Sequence, residues 1–546
     1  MKSLPRRPAI DHLRRQAKVL LADFRRATPE AIARFRNALP FAAGRDPAAI
    51  SEFKLRLHDA QSCIAREYGF ESWADLKAYV DANRAYDRDP ADLMAAFCRL
   101  VYAGDLAGGT NSARPRAAAR LLADHPDLPK RNAWIACAAG DAEMVRRQIA
   151  RDPSWVNRIG GPLDLNPLVA AAHSSLLRLA EYKHQLRDVV DLLLEAGADP
   201  NGTVTKRWEA SADASPQEWQ VSALHGAAGV NYDPDLTRRL LAAGAGPNDG
   251  ESLYHSLDKP ICTPILLEAG AIVTGTNALY RCLDFDDLDT FRLLLSHAAG
   301  AEELKGGRLL LWAIRRRRSP AHIEALLEAG ADPVVQTRDG VSAYTQALRY
   351  GLPEVAAVLK RAGAVADLND EDLFLAACAS NDVEAARRIQ ARRPDLPAAL
   401  DVARLRMLPE LAAAGCSAPV RLMVDLGWPI SVRGGDWNAS ALNHAVFRGD
   451  ARLARHLLMH GASWAEEHGY GDTVCGTLSW ASWNQPVEDG DWLGCAEVLV
   501  EHGMPGAQPV AGSPDYVLVA GKHRRFSEDV AAYLLKKGSE AAGSSG

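Results

Sequence analysis

The feature that most constrains this chain is one helix ending used again and again. The stretch VVDLLLEAGADPNG, Val189 to Gly202, runs from leucines into an Ala-Gly-Ala-Asp-Pro turn. Related endings recur as RRLLAAGAGPN at 238–248, PILLEAGAIV at 264–273, EALLEAGADP at 324–333 and AAVLKRAGAV at 356–365. Glycine reaches positive φ without a Cβ clash, so it closes a helix and turns the chain back. A chain that does this at short intervals is predicted to be a series of short, packed helices.

One period shows the physics. In DGVSAYTQALRYGLPEVAAVLKRAGA (339–364), Asp339-Gly340 makes a turn and Ser342 N-caps a short helix. Ala343, Tyr344, Ala347 and Leu348 share one helical face. Gly351 ends that helix, Pro353 suits the first turn of the next, and Val355, Val358 and Leu359 form a second apolar stripe. Gly363 closes the pair. So small a helix pair cannot bury its apolar face alone, whereas stacked neighbours bury it together.

This unit resembles the ankyrin repeat, with its short turn, T-P-L-H-x-A helix start and L-L-x-x-G-A ending. The corresponding starts are NPLVAA (166–171), SALHGA (222–227), NALYRC (277–282), SAYTQA (342–347) and SALNHA (440–445); in SALH, Ser222 and His225 keep the hydroxyl and the imidazole together. Gly330 to Gly363 is 33 residues and Gly427 to Gly461 is 34, but Gly197 to Gly244 is 47 and Gly244 to Gly270 is 26. The array is therefore irregular, with an insertion near 201–221 and a truncated repeat near 250–273. RNAWIACAAGDAEMVRRQIARDPSWVN (131–157) and DLFLAACASNDVEAARRIQARRPDL (372–396) keep the helix, linker, helix spacing, and VLVAGKHRRFSEDVAAYLLKKGS (517–539) reads as a polar-ended final repeat.

The expectation is an all-α, ankyrin-type solenoid of about a dozen helix-turn-helix repeats with short β-hairpin or loop fingers. It would span 89–540, behind a helical module at 1–88 and before a flexible tail at 541–546. In the module, Ile10, Leu13, Ala17, Leu20, Leu21 and Phe24 line one helix face, and Ser72 with Asp75 forms a variant capping box in AREYGFESWADLKAYV. The module resembles the helical leader of bacterial ankyrin proteins, which implies a bacterial chain. It serves either as a cap for the solenoid or as a separate partner-binding module.

The chain has 546 residues, a net charge of -6 and nine cysteines, no two of them closer than 20 residues. The charge argues against non-specific nucleic-acid binding. The cysteine spacing contains no zinc motif, and the odd count without a secretory signal points to a reducing compartment, the cytoplasm. No apolar run is long enough for a membrane span.

Motifs that could carry chemistry have plainer readings. Asp284, Asp286, Asp287 and Asp289 crowd LDFDDLDTFRLLL, but the sixth and twelfth positions of a calcium loop hold Asp289 and Leu295; the segment reads as a solvated linker. Arg315 to Arg318 sit at the same linker of the next repeat and read as a solvated edge. His456 and His460 are an i, i+4 pair without a third ligand in the sequence, and read as structural. GYGDTVCG (469–476) misses nucleotide-loop spacing, while Cys475 and His468 lie close in sequence. No catalytic residue, cofactor site or metal site is assigned.

Tryptophan is the stronger clue. Six of the twelve, Trp428, Trp437, Trp464, Trp480, Trp483 and Trp492, lie between 428 and 492. In the ankyrin family finger tips and first helices face the groove that grips partners, and exposed Trp is a frequent hot-spot residue. The resemblance thus implies a non-catalytic interaction scaffold that binds a protein through its concave face; the sequence leaves the oligomeric state open, with a monomer favoured. The contact candidates are Trp437, Asn438, Trp480 and Trp483, with Trp208 and Trp219 from the polar insertion TVTKRWEASADASPQEWQ. Two alternatives stand beside it: tryptophans that merely fill an irregular core, and an enzyme or metal-dependent regulator with its site in the irregular stretch 465–495.

Overall fold

The structure, a computed structural model, describes residues 2–5, 7–85, 90–108, 112–208, 217–365, 367–510 and 516–543. It is mostly helical and divides into two compact bodies, Met1–Arg281 and Cys282–Gly546. Among the described residues, no helix is long and apolar enough to cross a membrane.

The first body begins with the helices Ile10–Arg25, Pro29–Ala38, Leu57–Glu67 and Trp73–Ala85. All six apolar residues expected on the face of the first helix are buried. Ser72 Oγ accepts from the Asp75 amide at 3.1 Å and donates to Asp75 Oδ2 at 2.7 Å, so the cap closes through the two side chains. Helix pairs follow, such as Ala133–Ala139 with Ala142–Arg151 and Pro167–Ala172 with Ala180–Glu195, then the short pair Ser252–Ser256 and Thr263–Glu268. In the second body, pairs run from Arg308–Arg315 with Pro320–Glu328 to Val474–Asn484 with Trp492–Glu501. First helices pack on first helices and second helices on second helices of the next pair, as in Met407–Ala413, Ala441–Phe447 and Val474–Asn484.

The recurrent ending has a specific hydrogen-bond logic. The glycines at 197, 244, 270, 330, 363 and 461 all have φ between +90° and +99°. The following alanine amide donates to the carbonyl five residues back: Ala198 to Leu193, Ala245 to Leu240, Ala271 to Leu266, Ala331 to Leu326, Ala364 to Leu359 and Ala462 to Leu457, at 2.9–3.1 Å. This is the Schellman closure, in which a left-handed glycine lets the next amide satisfy a carbonyl the helix leaves open. Five of these alanines, all but Ala462, are buried beside the leucines they bond. The Gly-Ala pair is thus both a backbone cap and a small core residue.

The other turns have their own chemistry. Several first helices are capped by Asn or Ser: Asn166 accepts from the Val169 amide and Ser342 from the Thr345 amide. Second helices are capped by Asp141, Asp233, Asp287, Asp382, Asp450 and Asp491. A positive-φ residue commonly precedes that Asp. In the first body an asparagine ladder joins consecutive closing turns. Asn157 donates to the Gly197 carbonyl and accepts from the Asp199 amide; Asn201 does the same with Gly244 and Gly246, and Asn248 with Gly270 and Ile272. Each side chain stands in for two missing backbone partners.

Four expectations change. The insertion is not a polar loop: Thr203–Trp208 pairs antiparallel with Gln217–Ser222. Its outer face carries the cross-strand pairs Arg207–Glu218 and Thr205–Gln220, while Val204 and Val221 are buried, the alternation a strand imposes. The final segment is not a second helix pair. Val517–Val519 and Lys522–Arg524 are strands in a three-stranded sheet with Gln508–Pro509, and only Glu528–Gly543 is helical. The acidic and basic linkers are not separately solvated. Arg316 Nε lies 2.9 Å from Asp284 and Arg318 Nη1 lies 3.4 Å from Asp286, while Asp287 caps a helix through the Thr290 amide. The expected tail at 541–546 is in part the end of the last helix, and 544–546 lie outside the described residues.

Two glycines separate conformation from space. A Cβ added at Gly363 (φ +95°) would have no atom within 4 Å, whereas at Gly351 (φ +67°) that carbon would sit 2.5 Å from the Ala379 carbonyl oxygen. Gly363→Ala is expected to cost about 1 kcal/mol, the strain of a left-handed alanine. Gly351→Ala adds a backbone clash and lowers the melting temperature at least twice as far, measured by circular dichroism on both variants.

Candidate partner-binding surfaces

In the second body the finger at Trp437 is built as the pattern implies. Arg433–Gly434 pairs with Ala439–Ser440, and the connection turns through Gly435 (φ +73°) and Asn438 (φ +47°). Ser440 caps the Ala441–Phe447 helix by accepting from the Asn443 amide, and Asn443 is held by the Glu466 carbonyl and the Thr477 hydroxyl. This buried polar chain ties two consecutive first helices to the intervening turn. His444 Nε2 lies 3.2 Å from the Gly434 carbonyl oxygen and locks the finger to its helix.

Side chains stand on that frame. The half-buried Trp437 ring meets His444 at 4.7 Å, His468 at 5.1 Å and Phe447 at 5.8 Å. Phe447 in turn stacks on Trp480, with centroids 5.4 Å apart and planes 10° from parallel. Trp480 is 44% exposed and Tyr470, against His468, is 73% exposed. The neighbouring finger is pinned by the Gly469 amide donating to the Trp437 carbonyl at 3.0 Å. Trp437, Phe447 and Trp480 therefore form a continuous, preorganised aromatic strip, and Asn438 is exposed at its edge.

The remaining tryptophans divide. Trp428 and Trp492 are buried, with indole N–H groups donating to Leu405 and Phe447 carbonyls. Trp483 is half-buried beneath the Arg525 guanidinium, 3.5 Å from the ring centroid, a stabilising cation–π contact. The tryptophans therefore divide between enclosed residues, Trp428 and Trp492, and the exposed Trp480. Phe447, Tyr470 and His444 were not singled out in the sequence, and His468 was noted only for its closeness to Cys475; a residue spacing of 33 from Phe447 to Trp480, one repeat, is the signal that joins them.

A polar extension lies in the same body. Arg315 and Arg316 both reach Asp436, at 3.1 and 2.7 Å, and both guanidinium groups lie over the Trp312 ring, Arg316 at 4.3 Å. Tyr350 donates to Glu410, and Arg317 to the Tyr350 carbonyl. The arginine run is thus an internally paired edge.

In the first body, Trp219 lies on the inner face of the hairpin, opposite Lys206. It lines an open cavity of about 550 Å³ with Arg178, His225, Tyr232, His255 and Asp258. His225 and His255 stack at 4.8 Å. Gly229 permits this, because a Cβ there would lie 2.7 Å from His255 and 2.9 Å from His225. Gly229 sits in a π-helical turn, Gly226–Val230, a local insertion that widens a helix. Trp208 ends the first strand; its side chain lies outside the described residues.

The 465–495 stretch holds a finger, the Val474–Asn484 helix and an irregular linker through the positive-φ residues Gln485 and Asp489. Cys475 is buried within it, and burial pushes its thiol up to about 11. Burial also works against the charged form of Asp472, but a two-bond contact with Arg524 at 2.7 and 2.8 Å, the Thr473 amide and Lys522 bring it down to about 2. Among the nine cysteines, eight are buried and Cys416 is half-buried, and all are free thiols.

No family model matches the chain, and no curated protein matches it. Among solved structures, the ankyrin repeat domain of human ASB11 is 18% identical, with 42% of this chain and 99% of that chain covered at a TM-score of 0.21. The ankyrin repeat domain of Bcl-3, described as a unique member of the IkappaB protein family, is 19% identical, with 48% and 99% covered at a TM-score of 0.21. The ankyrin-like character rests on the helix pairs, their Schellman endings and their hairpin fingers.

His444 makes the finger sensitive to acid. Burial pushes its imidazole down to about 4, the Gly434 carbonyl only partly opposing this. The unfolded chain, with an ordinary histidine near 6.5, then binds the proton more readily than the folded one. The stabilisation is complete above about pH 6.5 and is lost as pH falls toward 4, a change of about 3 kcal/mol. His444→Gln is expected to flatten that part of the acid loss when urea midpoints are compared with wild type from neutral pH to pH 4.

Proposed function

We propose that this chain is a non-catalytic scaffold, a helical solenoid that binds a protein partner through finger tips and first helices on its concave face. The observation that carries the reading is the exposed Trp480 held rigid on Phe447 beside Trp437. Aromatic side chains fixed before binding lose little entropy on association and dominate interface energy. Trp437, Asn438 and Trp480 are the central contacts; Trp483, Trp208 and Trp219 are further candidates. A stable complex would bury on the order of 1,600 Å² in total, more than this strip alone offers, so the partner would extend over several repeats.

The competing reading, chemistry within 465–495, needs an accessible thiolate or an activated base. Cys475 supplies neither, being buried and protonated at neutral pH. The buried free thiols support a reducing compartment, the cytoplasm.

Partner capture with purified wild-type chain and a Trp437→Ala/Trp480→Ala variant tests the proposal. A partner retained by wild type is expected to bind the folded variant at least about 30-fold more weakly, the loss for a hot spot of 2 kcal/mol or more. Equal binding by both would move the interface away from the strip.

A further inference from the structure

The sequence pair His456 and His460 acquires a third member in the fold. Asp425 ends the Ser417–Asp425 helix, and the histidines end the Ala451–Met459 helix beside it, His460 as its C-cap residue. His456 Nε2 lies 3.0 Å and His460 Nε2 3.7 Å from the same oxygen, Asp425 Oδ1. The three ligand atoms all lie within 4.8 Å of one another. A tetrahedral zinc ion with nitrogen and oxygen bonds of about 2.0–2.1 Å separates its ligand atoms by about 3.3 Å, between the two histidine distances to Asp425 Oδ1.

Three further observations favour a cation over a plain ion pair. First, His456 Nε2 makes no hydrogen bond despite its closeness to Asp425, so the contact is misaligned for a donated proton. Second, the His460 Nδ1–H is spent on the His456 carbonyl at 2.8 Å, which leaves the Nε2 lone pair facing Asp425. Backbone partners that fix the tautomer are the usual outer support of metal-bound histidine. Third, two helix C-termini converge here, and their open carbonyls favour positive charge. Capping alone does not explain the group. His502 makes the same bond to the Val498 carbonyl, at 2.8 Å, without belonging to such a cluster.

We propose that Asp425, His456 and His460 bind one divalent transition-metal ion of the zinc class, with water in the fourth position, and that the ion staples the second helices of two adjacent repeats. The side chains are 48%, 21% and 40% exposed, so the ion enters from solvent without unfolding. Two imidazoles and one carboxylate suit zinc or cobalt over calcium or magnesium, which prefer all-oxygen sites.

The test uses the full-length chain stripped with a chelator and titrated with Zn²⁺ alone by calorimetry, alongside His460→Gln, Asp425→Asn and the control His502→Gln. The expected result is one saturable site per chain in wild type and in the control. Each of the two site variants weakens it at least tenfold and loses the zinc-dependent rise in melting temperature. Co²⁺ in place of zinc is expected to give a tetrahedral visible spectrum in wild type and in the control only. Unchanged affinity in both site variants, all of them folded by circular dichroism, would overturn the assignment, as would no saturable binding by wild type. Neither result bears on the aromatic strip, whose partner capture is measured in metal-free buffer.

Discussion

Everything in this molecule depends on apolar stripes that a single helix pair cannot bury. The second helices of the repeats present leucine and valine to the helices on either side, and the short first helices are buried on nearly all sides, as in Pro167–Ala172. Such pairs gain stability only from neighbours. The closing turn must therefore reverse the chain in a fixed geometry, so that the next stripe arrives in register. The Schellman glycine and its buried alanine meet that demand, which is why the ending is repeated far more faithfully than any other part of the repeat.

Polar groups then correct what apolar stacking leaves open. Stacking along one direction tolerates sliding, and directional bonds between successive turns remove that freedom. In the first body this is done by the asparagine ladder from Asn157 to Asn248. In the second it is done by a buried chain through Ser440, Asn443 and Thr477, and by linker charges such as Asp284 with Arg316. These bonds hold the fingers still, and a still finger is what allows Trp437 and Trp480 to be presented without being swallowed by the core. Rigidity and exposure have a common origin here: the backbone is satisfied internally, so aromatic surface is left exposed.

The legibility of the site followed the range of the forces involved. The face of the Ile10–Arg25 helix, the Ser342 cap and the paired helices at 133–151 and 370–392 rest on interactions within a few residues, and all were readable. The insertion hairpin was readable in principle, since TKRW and EWQVS alternate in polarity, but its polar middle concealed the pairing. The final strands were obscured because VLVAGKHRRF sits where a first helix was expected. The tryptophans could not be sorted from sequence at all. Trp428 and Trp480 have equally apolar surroundings in the chain, yet one is enclosed and the other stacks at the surface.

The sequence by itself determined the repeating helix pair, because glycine stereochemistry, capping side chains and amphipathic periodicity act locally and need no partner at long range. It also determined that the chain carries none of the familiar nucleotide or metal motifs, since those are written in short spacings. Only the tertiary structure decided which side chains from different repeats meet. Trp437 reaches Phe447, which stacks on Trp480, and Asp425 reaches His456 and His460, across helices whose separation in sequence gives no measure of their separation in space. That is the consequence of stacking: equivalent positions in successive repeats become neighbours, and irregular repeats hide which positions are equivalent until the helices are packed.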